Sequence, residues 1–313
     1  MWQFYVKHNH SVGLHSGEGA MTKSEYLGRR EFMGIATGTT LAARAALAGS
    51  SETIAVSEPF NFAVIADPHC AEVPKTGLEV YGNGVEKFLR CFEKMKELPK
   101  EEQPDFALIA GDIHPEALAP HLDTITLPLH VVAGNHEGSN ETRGLLRAMF
   151  PHDFGSGGAV RDYYAFTHKG IRFIASCDAG AGGDHIGHFS SELIAPHGQC
   201  DWLEKELQRP EPRKVLFAHI PPALDDVERN MYMGRNDSRW FLELVRETKP
   251  EMLFFGHLHH PTEEHQIGNT RCINVRSCCW NFQNAPVGFL LVRVGAERME
   301  FREIITGTCA DKA

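Results

Sequence analysis

The chain has 313 residues and a formal net charge of −10, with 31 lysine and arginine residues against 41 aspartate and glutamate residues. Its hydrophobic fraction of 42% and charged fraction of 23% are typical of a globular protein and argue against a disordered or fibrous one. The acidic balance disfavours binding to nucleic acid through bulk positive charge. No apolar run reaches the roughly 20 residues of a membrane span. We therefore expect neither a nucleic-acid partner nor stable membrane insertion.

The first fifty residues resemble an export signal. Arg29 and Arg30 are followed by Phe32 and by a weakly apolar segment that ends in the Ala-Leu-Ala triplet at 46–48. This order of features resembles a bacterial twin-arginine signal with an A-x-A cleavage site. Arg44 inside the apolar segment makes it a poor membrane anchor, so we expect cleavage. An amphipathic surface helix with an accidental arginine pair is the alternative interpretation.

This resemblance sets the expected boundaries and location of the protein. We assign residues 1–48 to the signal and residues 55–308 to the mature domain. We expect the twin-arginine export machinery as a partner and a periplasmic or secreted location. The arginine pair lies unusually far from Met1, whereas Met21 offers an ordinary start, so we interpret residues 1–20 as a start-site misassignment.

Beyond residue 55, short apolar runs alternate with amphipathic segments. The runs predict strands at 62–66, 106–110, 129–133, 162–167, 171–177, 215–218, 252–255, 271–275, 288–294 and 299–305. Apolar residues at helical spacing predict helices at 85–95, 142–149, 199–207 and 240–245. This alternation is typical of an α/β domain, and the sequence contains no repeat or linker that would divide it.

Polar residues that can bind a metal follow five of the predicted strands. They are Asp67 with His69, Asp112, Asn135 with His136, His219, and His257 with His259. In open α/β sheets the carboxyl ends of strands converge on one crevice, so we expect these side chains to meet. Their oxygen and nitrogen donors suit Mn, Fe or Zn rather than Cu(I). The eight cysteines show no C-x-x-C or zinc-finger spacing, which argues against a thiolate site.

These segments, in this order, resemble the calcineurin-like metallophosphoesterase superfamily, which includes purple acid phosphatases and cyclic-nucleotide phosphodiesterases. The superfamily pattern D-x-H, G-D, G-N-H-[DE], H and G-H-x-H is matched in full, and the resemblance covers residues 60–280. It implies an α/β fold, a four-layer α/β/β/α sandwich of two mixed β-sheets flanked by helices. It also implies a metal-dependent hydrolase that acts on phosphate mono- or diesters through a metal-bound hydroxide.

The resemblance implies two divalent or trivalent metal ions in each chain, with Asp112 as the bridge between them. The remaining ligands would divide into one set for each ion: Asp67, His69 and His259 for the first, and Asn135, His219 and His257 for the second. The sequence leaves open whether the ions are Mn, Fe or Zn.

His136 has a separate implied role, because it does not bind metal in the superfamily pattern. It would protonate the leaving oxygen or stabilise the charge on the phosphoryl group. Glu137 or another carboxylate would orient it. His257 and His259 alternate on an extended segment, so a turn is needed for both to face the metals, and Gly256 can provide that turn.

Further residues near these motifs are candidates for contact with the substrate, each with a plainer alternative. His114 and His260 flank the motifs, and Arg143 could bind phosphate, although a surface position on a helix is the alternative for Arg143. We interpret His185 as part of a solvated glycine-rich loop. Pro115 stands where purple acid phosphatases have a tyrosine, so the tyrosinate–iron colour is not expected.

Two rival functions remain open at this point. The first is a catalytically idle, exported metal-binding protein. Such a protein would be expected to have lost His136 or one of the ligands, and all of them are present here. An exported nuclease is disfavoured, because the chain is acidic and has no basic stripe.

Overall fold

The computed structural model describes residues 58–71, 83–155, 157–180, 184–211 and 213–309. The predicted signal and most of the predicted glycine-rich loop lie outside these ranges. The described residues all belong to one unit, which spans Glu52–Ala313. No helix in the described part of the chain has both the length and the apolar character of a membrane span.

Helices separate most of the strands in the first part of the described chain, and a run of strands forms its end. In order they are β1 (Phe60–Ile65), α1 (Gly84–Glu97), β2 (Ala107–Ala110), α2 (Pro115–Leu118), β3 (Leu129–Val132), α3 (Asn140–Met149), α4 (Pro151–Phe154), β4 (Tyr164–His168), β5 (Ile171–Ala175), α5 (Gln199–Leu207), β6 (Lys214–Phe217), α6 (Arg235–Thr248), β7 (Met252–Phe255), β8 (Glu263–Ile267), β9 (Thr270–Asn274), β10 (Val287–Val294) and β11 (Met299–Gly307). Each predicted strand and helix is present, with ends that differ by a few residues.

Two mixed sheets form the framework. The first has the order β11-β10-β1-β2-β3, in which β1, β2 and β3 are parallel and β10 and β11 are antiparallel to their neighbours. The second has the order β4-β5-β6-β7-β9-β8, in which the central strands are parallel and the two edge strands are antiparallel.

Aromatic side chains join the facing surfaces of the two sheets. The ring of Phe62 on β1 lies 5.2 Å from that of Phe173 on β5 and 6.0 Å from that of Phe254 on β7, both edge to face. All three residues are fully buried, so their burial contributes roughly 1.5–3 kcal/mol each to the free energy of unfolding. A second apolar cluster lies between β5–β7 and the helices α5 and α6.

Helix α1 covers the first sheet with an apolar face. It begins after Asn83, whose Oδ1 accepts a hydrogen bond of 3.0 Å from the Val85 amide, and it buries Phe88, Phe92 and Met95 at helical spacing. With α5 and α6 outside the second sheet, the predicted α/β/β/α sandwich is confirmed.

Candidate metal centre

Loops that follow strands of both sheets carry the predicted ligands. They are Asp67 and His69 after β1, Asp112 after β2, Asn135 after β3, His219 after β6, and His257 and His259 after β7. All are buried except His69, which is half-buried. The structure therefore brings the donors predicted from the sequence to one place, at the carboxyl ends of parallel strands. Their roles as ligands stay predictions.

The first donor group consists of Asp67, His69, Asp112 and His259, whose ligand atoms all lie within 4.8 Å of one another. His69 Nε2 lies 3.0 Å from His259 Nε2 and 3.5 Å from Asp112 Oδ2. His259 Nε2 lies 3.5 Å from Asp67 Oδ1. The four side chains thus point their donor atoms at a common space.

The second donor group consists of Asp112, His219 and His257, again within 4.8 Å, with Asn135 beside them. His219 Nε2 lies 3.0 Å from Asn135 Oδ1, 3.2 Å from His257 Nδ1 and 3.3 Å from Asp112 Oδ1. Asp112 therefore belongs to both groups, with Oδ2 toward the first and Oδ1 toward the second.

These separations fit metal binding. Donor atoms that share one ion at a bond length of about 2.1 Å lie about 3.0 Å apart in octahedral geometry and about 3.4 Å apart in tetrahedral geometry. The observed separations of 3.0–3.5 Å fall in this range. Mn, Fe or Zn matches this nitrogen and oxygen donor set.

Backbone carbonyls fix how two of the imidazoles face the centre. His219 Nδ1 lies 2.7 Å from the Ala110 carbonyl oxygen, and His259 Nδ1 lies 2.8 Å from that of Trp280. Because a carbonyl can only accept, Nδ1 carries the proton in each ring and the lone pair of Nε2 faces the donor group.

Burial and neighbouring charges have opposite effects on the pKa values of His219 and Asp112 in the centre. Burial raises the pKa of Asp67 to about 8, and burial lowers the pKa of His257 to about 2 and that of His259 to about 4. Burial also disfavours charge on His219 and Asp112, but their mutual attraction outweighs it, raising the pKa of His219 and holding that of Asp112 well below its usual range. A bound cation would take the place of the protons on these buried groups, because metal binding needs deprotonated carboxylates and neutral imidazoles.

The ligand loops use backbone conformations that are rare outside glycine. Asp67, Asp112, His257 and His259 have φ angles of 49°, 55°, 72° and 51°, in the left-handed region that favours glycine. The turn that we assigned to Gly256 is thus made by His257 itself. Gly256 is needed for another reason, because a Cβ there would lie 2.5 Å from Asp67 Oδ2.

His136 and Glu137 follow Asn135 but differ in exposure. The side chain of His136 is 42% exposed, and its Nε2 lies 3.9 Å from Asp112 Oδ2. Glu137 is fully buried and accepts hydrogen bonds from the amides of Ile113, His114 and Gly134. Glu137 therefore holds the β2 and β3 loops together, and the other carboxylate near the His136 ring is that of Asp112.

The three candidates for substrate contact occupy different surroundings. His114 Nε2 lies 3.2 Å from His69 Nδ1, and its ring is 5.0 Å from that of His136, so it borders the first donor group. His260 is exposed, lies outside both donor groups and contacts Phe282.

The structure contradicts both interpretations of Arg143, as a phosphate contact and as a surface residue of a helix. It is fully buried, and its guanidinium donates to the carbonyls of Glu137 and Ala179 and to the sulfur of Cys177. It also lies 3.6 Å from Asp162. A guanidinium enclosed in this way is neither on the surface nor able to reach a phosphate, because its donors are already paired inside the fold.

Two residues near the centre were missed in the sequence. Asp178 accepts hydrogen bonds from the His219 and Ile220 amides, and its position just past β5 is the same strand-end signal that identified the ligands. Trp280 stacks on His259 with ring centroids 3.7 Å apart, and no sequence signal points to it. His185, interpreted as part of a solvated loop, lies 5.5 Å from the His257 ring.

Comparisons with known proteins identify the fold. The structure is similar to a dimetal phosphatase from Danio rerio, with a TM-score of 0.59, 17% identity, and coverage of 79% of this chain and 96% of that one. It is also similar to a purple acid phosphatase from yellow lupin (Lupinus luteus) seeds, with a TM-score of 0.55, 14% identity, and coverage of 80% of this chain and 53% of that one. The chain thus spans about half of the lupin protein.

At these identities the likeness concerns the fold alone. A comparison with curated protein sequences gives no match. The calcineurin-like phosphoesterase family matches residues 60–261, which contain every predicted ligand, His136 and most of both sheets. The chain belongs to the calcineurin-like phosphoesterase family.

Proposed function

We propose that this protein hydrolyses phosphate mono- or diesters with a pair of metal ions. The observation that carries the proposal is the position of Asp112, whose two oxygens face two different donor groups, 3.5 Å from His69 Nε2 and 3.3 Å from His219 Nε2. A carboxylate shared in this way suits two adjacent ions. When bound, such ions would supply Lewis-acid activation of water and of the phosphoryl group.

The chain itself would supply the proton and the positioning. His136 is more exposed than His69 or His114, so a substrate can reach its ring. In this proposal His136 donates a proton to the leaving oxygen of the ester. Its backbone amide donates a hydrogen bond of 3.0 Å to Asp112 Oδ1, which holds the residue beside the shared carboxylate.

His114 would act through His69. With His69 Nε2 directed at the first donor group, the proton of His69 lies on Nδ1 and is donated to His114 Nε2. This hydrogen bond would fix the orientation of the His69 ring. His114 is thus proposed as a positioning residue.

The proposal is tested by assaying purified protein on phosphomonoesters and phosphodiesters, together with elemental analysis. We expect hydrolysis that is lost on chelation and restored by Mn, Fe or Zn, and we expect His219→Ala to abolish it. His121→Ala, a histidine outside both donor groups, is the matched control and should retain activity. A metal-loaded protein that hydrolyses none of these esters would favour the catalytically idle alternative.

We also propose that the protein acts outside the cytoplasmic membrane, after export through the twin-arginine machinery. This rests on the sequence order of the arginine pair, the apolar segment and the small-residue site. Twin-arginine export carries folded proteins, which agrees with a centre whose donors come from both sheets.

A further inference from the structure

His185 is an exposed histidine beside the second donor group. Its ring lies 5.5 Å from that of His257, centroid to centroid, and the two ring planes are inclined by 35°. His185 belongs to neither of the two sets of donors that lie within 4.8 Å of one another in the centre. It therefore stands outside the candidate ligands while its ring adjoins one of them. A side chain in this place can hydrogen-bond to an oxygen that an ion holds, without binding the ion itself.

The segment that carries His185 is fixed to the loop between β6 and α6. The amide of Gly187 donates a hydrogen bond of 3.1 Å to the Tyr232 carbonyl, and the Gly187 carbonyl accepts one of 2.9 Å from the Gly234 amide. This close approach needs glycine, because a Cβ at position 187 would lie 3.1 Å from the Cβ of Ile220. Backbone contacts therefore hold the segment against the loop that begins with a predicted ligand.

Two aspartates complete this anchoring. The Asp178 carbonyl accepts a hydrogen bond of 2.7 Å from the His188 amide, and the Asp178 side chain accepts one from the His219 amide. Asp237 accepts a hydrogen bond of 3.2 Å from the Phe189 amide, and its Oδ2 lies 3.0 Å from His188 Nδ1. The segment is thus tied to a predicted ligand on one side and to helix α6 on the other, which fixes where the exposed imidazole stands.

The imidazole of His185 has a donor available for a ligand. Neither of its ring nitrogens is hydrogen-bonded to another described residue. An imidazole carries at least one N–H donor in both of its protonation states. His136 borders the first donor group in a similar way, with 42% of its side chain exposed. Two exposed imidazoles therefore border the centre, one beside each donor group.

We propose that His185 binds a terminal phosphoryl oxygen and thereby makes the centre select phosphate monoesters over diesters. Two oxygens of a phosphoryl group suffice for two adjacent ions, and His136 is assigned to the leaving oxygen. The remaining position on phosphorus is a charged oxygen in a monoester and a second ester oxygen in a diester. A hydrogen bond to a charged oxygen is the stronger one, so His185 favours the monoester. This inference rests on the proposed function, since it takes the centre to hold phosphate esters.

Calorimetric titration of the full-length, metal-loaded protein with two unreactive anions tests the proposal. Methylphosphonate has the three terminal oxygens of a monoester, and dimethylphosphinate has the two of a diester. Neither contains an ester bond, so binding is measured without turnover. His185→Ala should weaken methylphosphonate binding by roughly 10- to 100-fold, the range for a lost hydrogen bond to a charged group, and should leave dimethylphosphinate binding nearly unchanged. His185→Gln keeps an N–H donor and should recover part of the loss.

His197→Ala is the matched control. His197 is also exposed, lies in the same connection between β5 and α5, and belongs to neither donor group. This variant should bind both anions as the wild type does. Elemental analysis should find the same metal content in the wild type and in both alanine variants. Loss of metal from His185→Ala alone would make His185 a ligand and overturn its assignment to the substrate.

Three other results would overturn the inference: no binding of methylphosphonate by the wild type, unchanged binding by His185→Ala, or equal weakening of both anions, which indicates general damage to the centre. Hydrolysis of 4-nitrophenyl phosphate by the wild type tests the proposed function separately. Hydrolysis together with any of these three results contradicts only the role of His185. The expected loss of methylphosphonate binding in a protein that hydrolyses no ester contradicts only the proposed enzyme activity.

Discussion

At the scale of single residues, Asp112 differs from the other donors because it belongs to both donor groups. We expect Asp112→Asn to lose metal from both, since a neutral amide cannot balance two adjacent cations as a carboxylate can. Asn135→Ala should empty mainly the second group. Elemental analysis of the purified variants measures this difference. Retention of two metals per chain by Asp112→Asn would refute the shared role.

His136 gives a prediction about chemistry without a change in metal content. His136→Asn should keep its metals and lower turnover of alkyl phosphates by roughly 10²–10⁴, the range for loss of a positioned acid. The loss should be far smaller for nitrophenyl esters, because nitrophenolate leaves readily without a proton. Measuring the turnover of both ester classes, with His121→Asn as the control, tests whether His136 acts as the acid. Equal losses on both would point to charge stabilisation instead.

The donors were predictable at this scale, whereas their surroundings were not. Each predicted ligand lies just after an apolar run, so the predicted end of a strand indicates where the ligand lies in the fold. The imidazoles are oriented by the backbone carbonyls of Ala110 and Trp280. Every residue has a backbone carbonyl, so the identity of a residue does not show which carbonyl will make such a contact. The burial of Arg143 also depends on distant contacts, with Cys177 and Ala179 more than 30 positions away.

At the scale of elements, the strands predicted most clearly are those buried on both faces. β1 and β7 are apolar almost throughout and fully buried, so they read as continuous hydrophobic runs. β8 was missed because its sequence EEHQI is exposed except at its last residue, as suits an edge strand. The four-residue helices α2 and α4 were missed because they are too short to show helical periodicity.

Helix α3 is held to the centre by Arg143, and this gives the third prediction. Arg143→Ala should lower the free energy of unfolding by roughly 1–3 kcal/mol for each buried carbonyl, of Glu137 and of Ala179, that loses its donor, while Asp162 keeps its ion pair with Arg147. Denaturant titration measures the loss. The KM of the folded variant for a phosphate ester should stay unchanged. A raised KM with unchanged stability would instead restore Arg143 as a substrate contact.

At the scale of the whole molecule, bound metal should contribute to stability. Asp67 and Asp112 are buried in the folded protein, and ions that bind only the folded chain shift the equilibrium toward it. We therefore expect a chelator to lower the melting temperature of wild-type protein and to have much less effect on Asp112→Asn. Calorimetry with and without chelator makes the comparison. An identical shift in the two proteins would contradict this source of stability.

The export proposal also concerns the whole chain. Replacing Arg29 and Arg30 by lysine should leave the full-length precursor in the cytoplasm, because the arginine pair is the feature that marks the signal. Fractionation followed by immunoblotting measures the distribution. The same pair of replacements at Arg298 and Arg302, outside the signal, serves as the control. An unchanged periplasmic yield from the Arg29 and Arg30 variant would contradict the predicted location.

The donors are widely spaced along the chain, and this has a consequence for biosynthesis. His69 and His259 are 190 positions apart, although their Nε2 atoms lie 3.0 Å from each other. β1, which leads to His69, has β10 as a neighbour in its sheet. A nascent chain therefore lacks a full set of donors until residue 259 has left the ribosome, and β1 lacks its β10 neighbour until residue 294 has followed. Any metal that needs the complete donor set would therefore bind late, once nearly all the described strands have been synthesised.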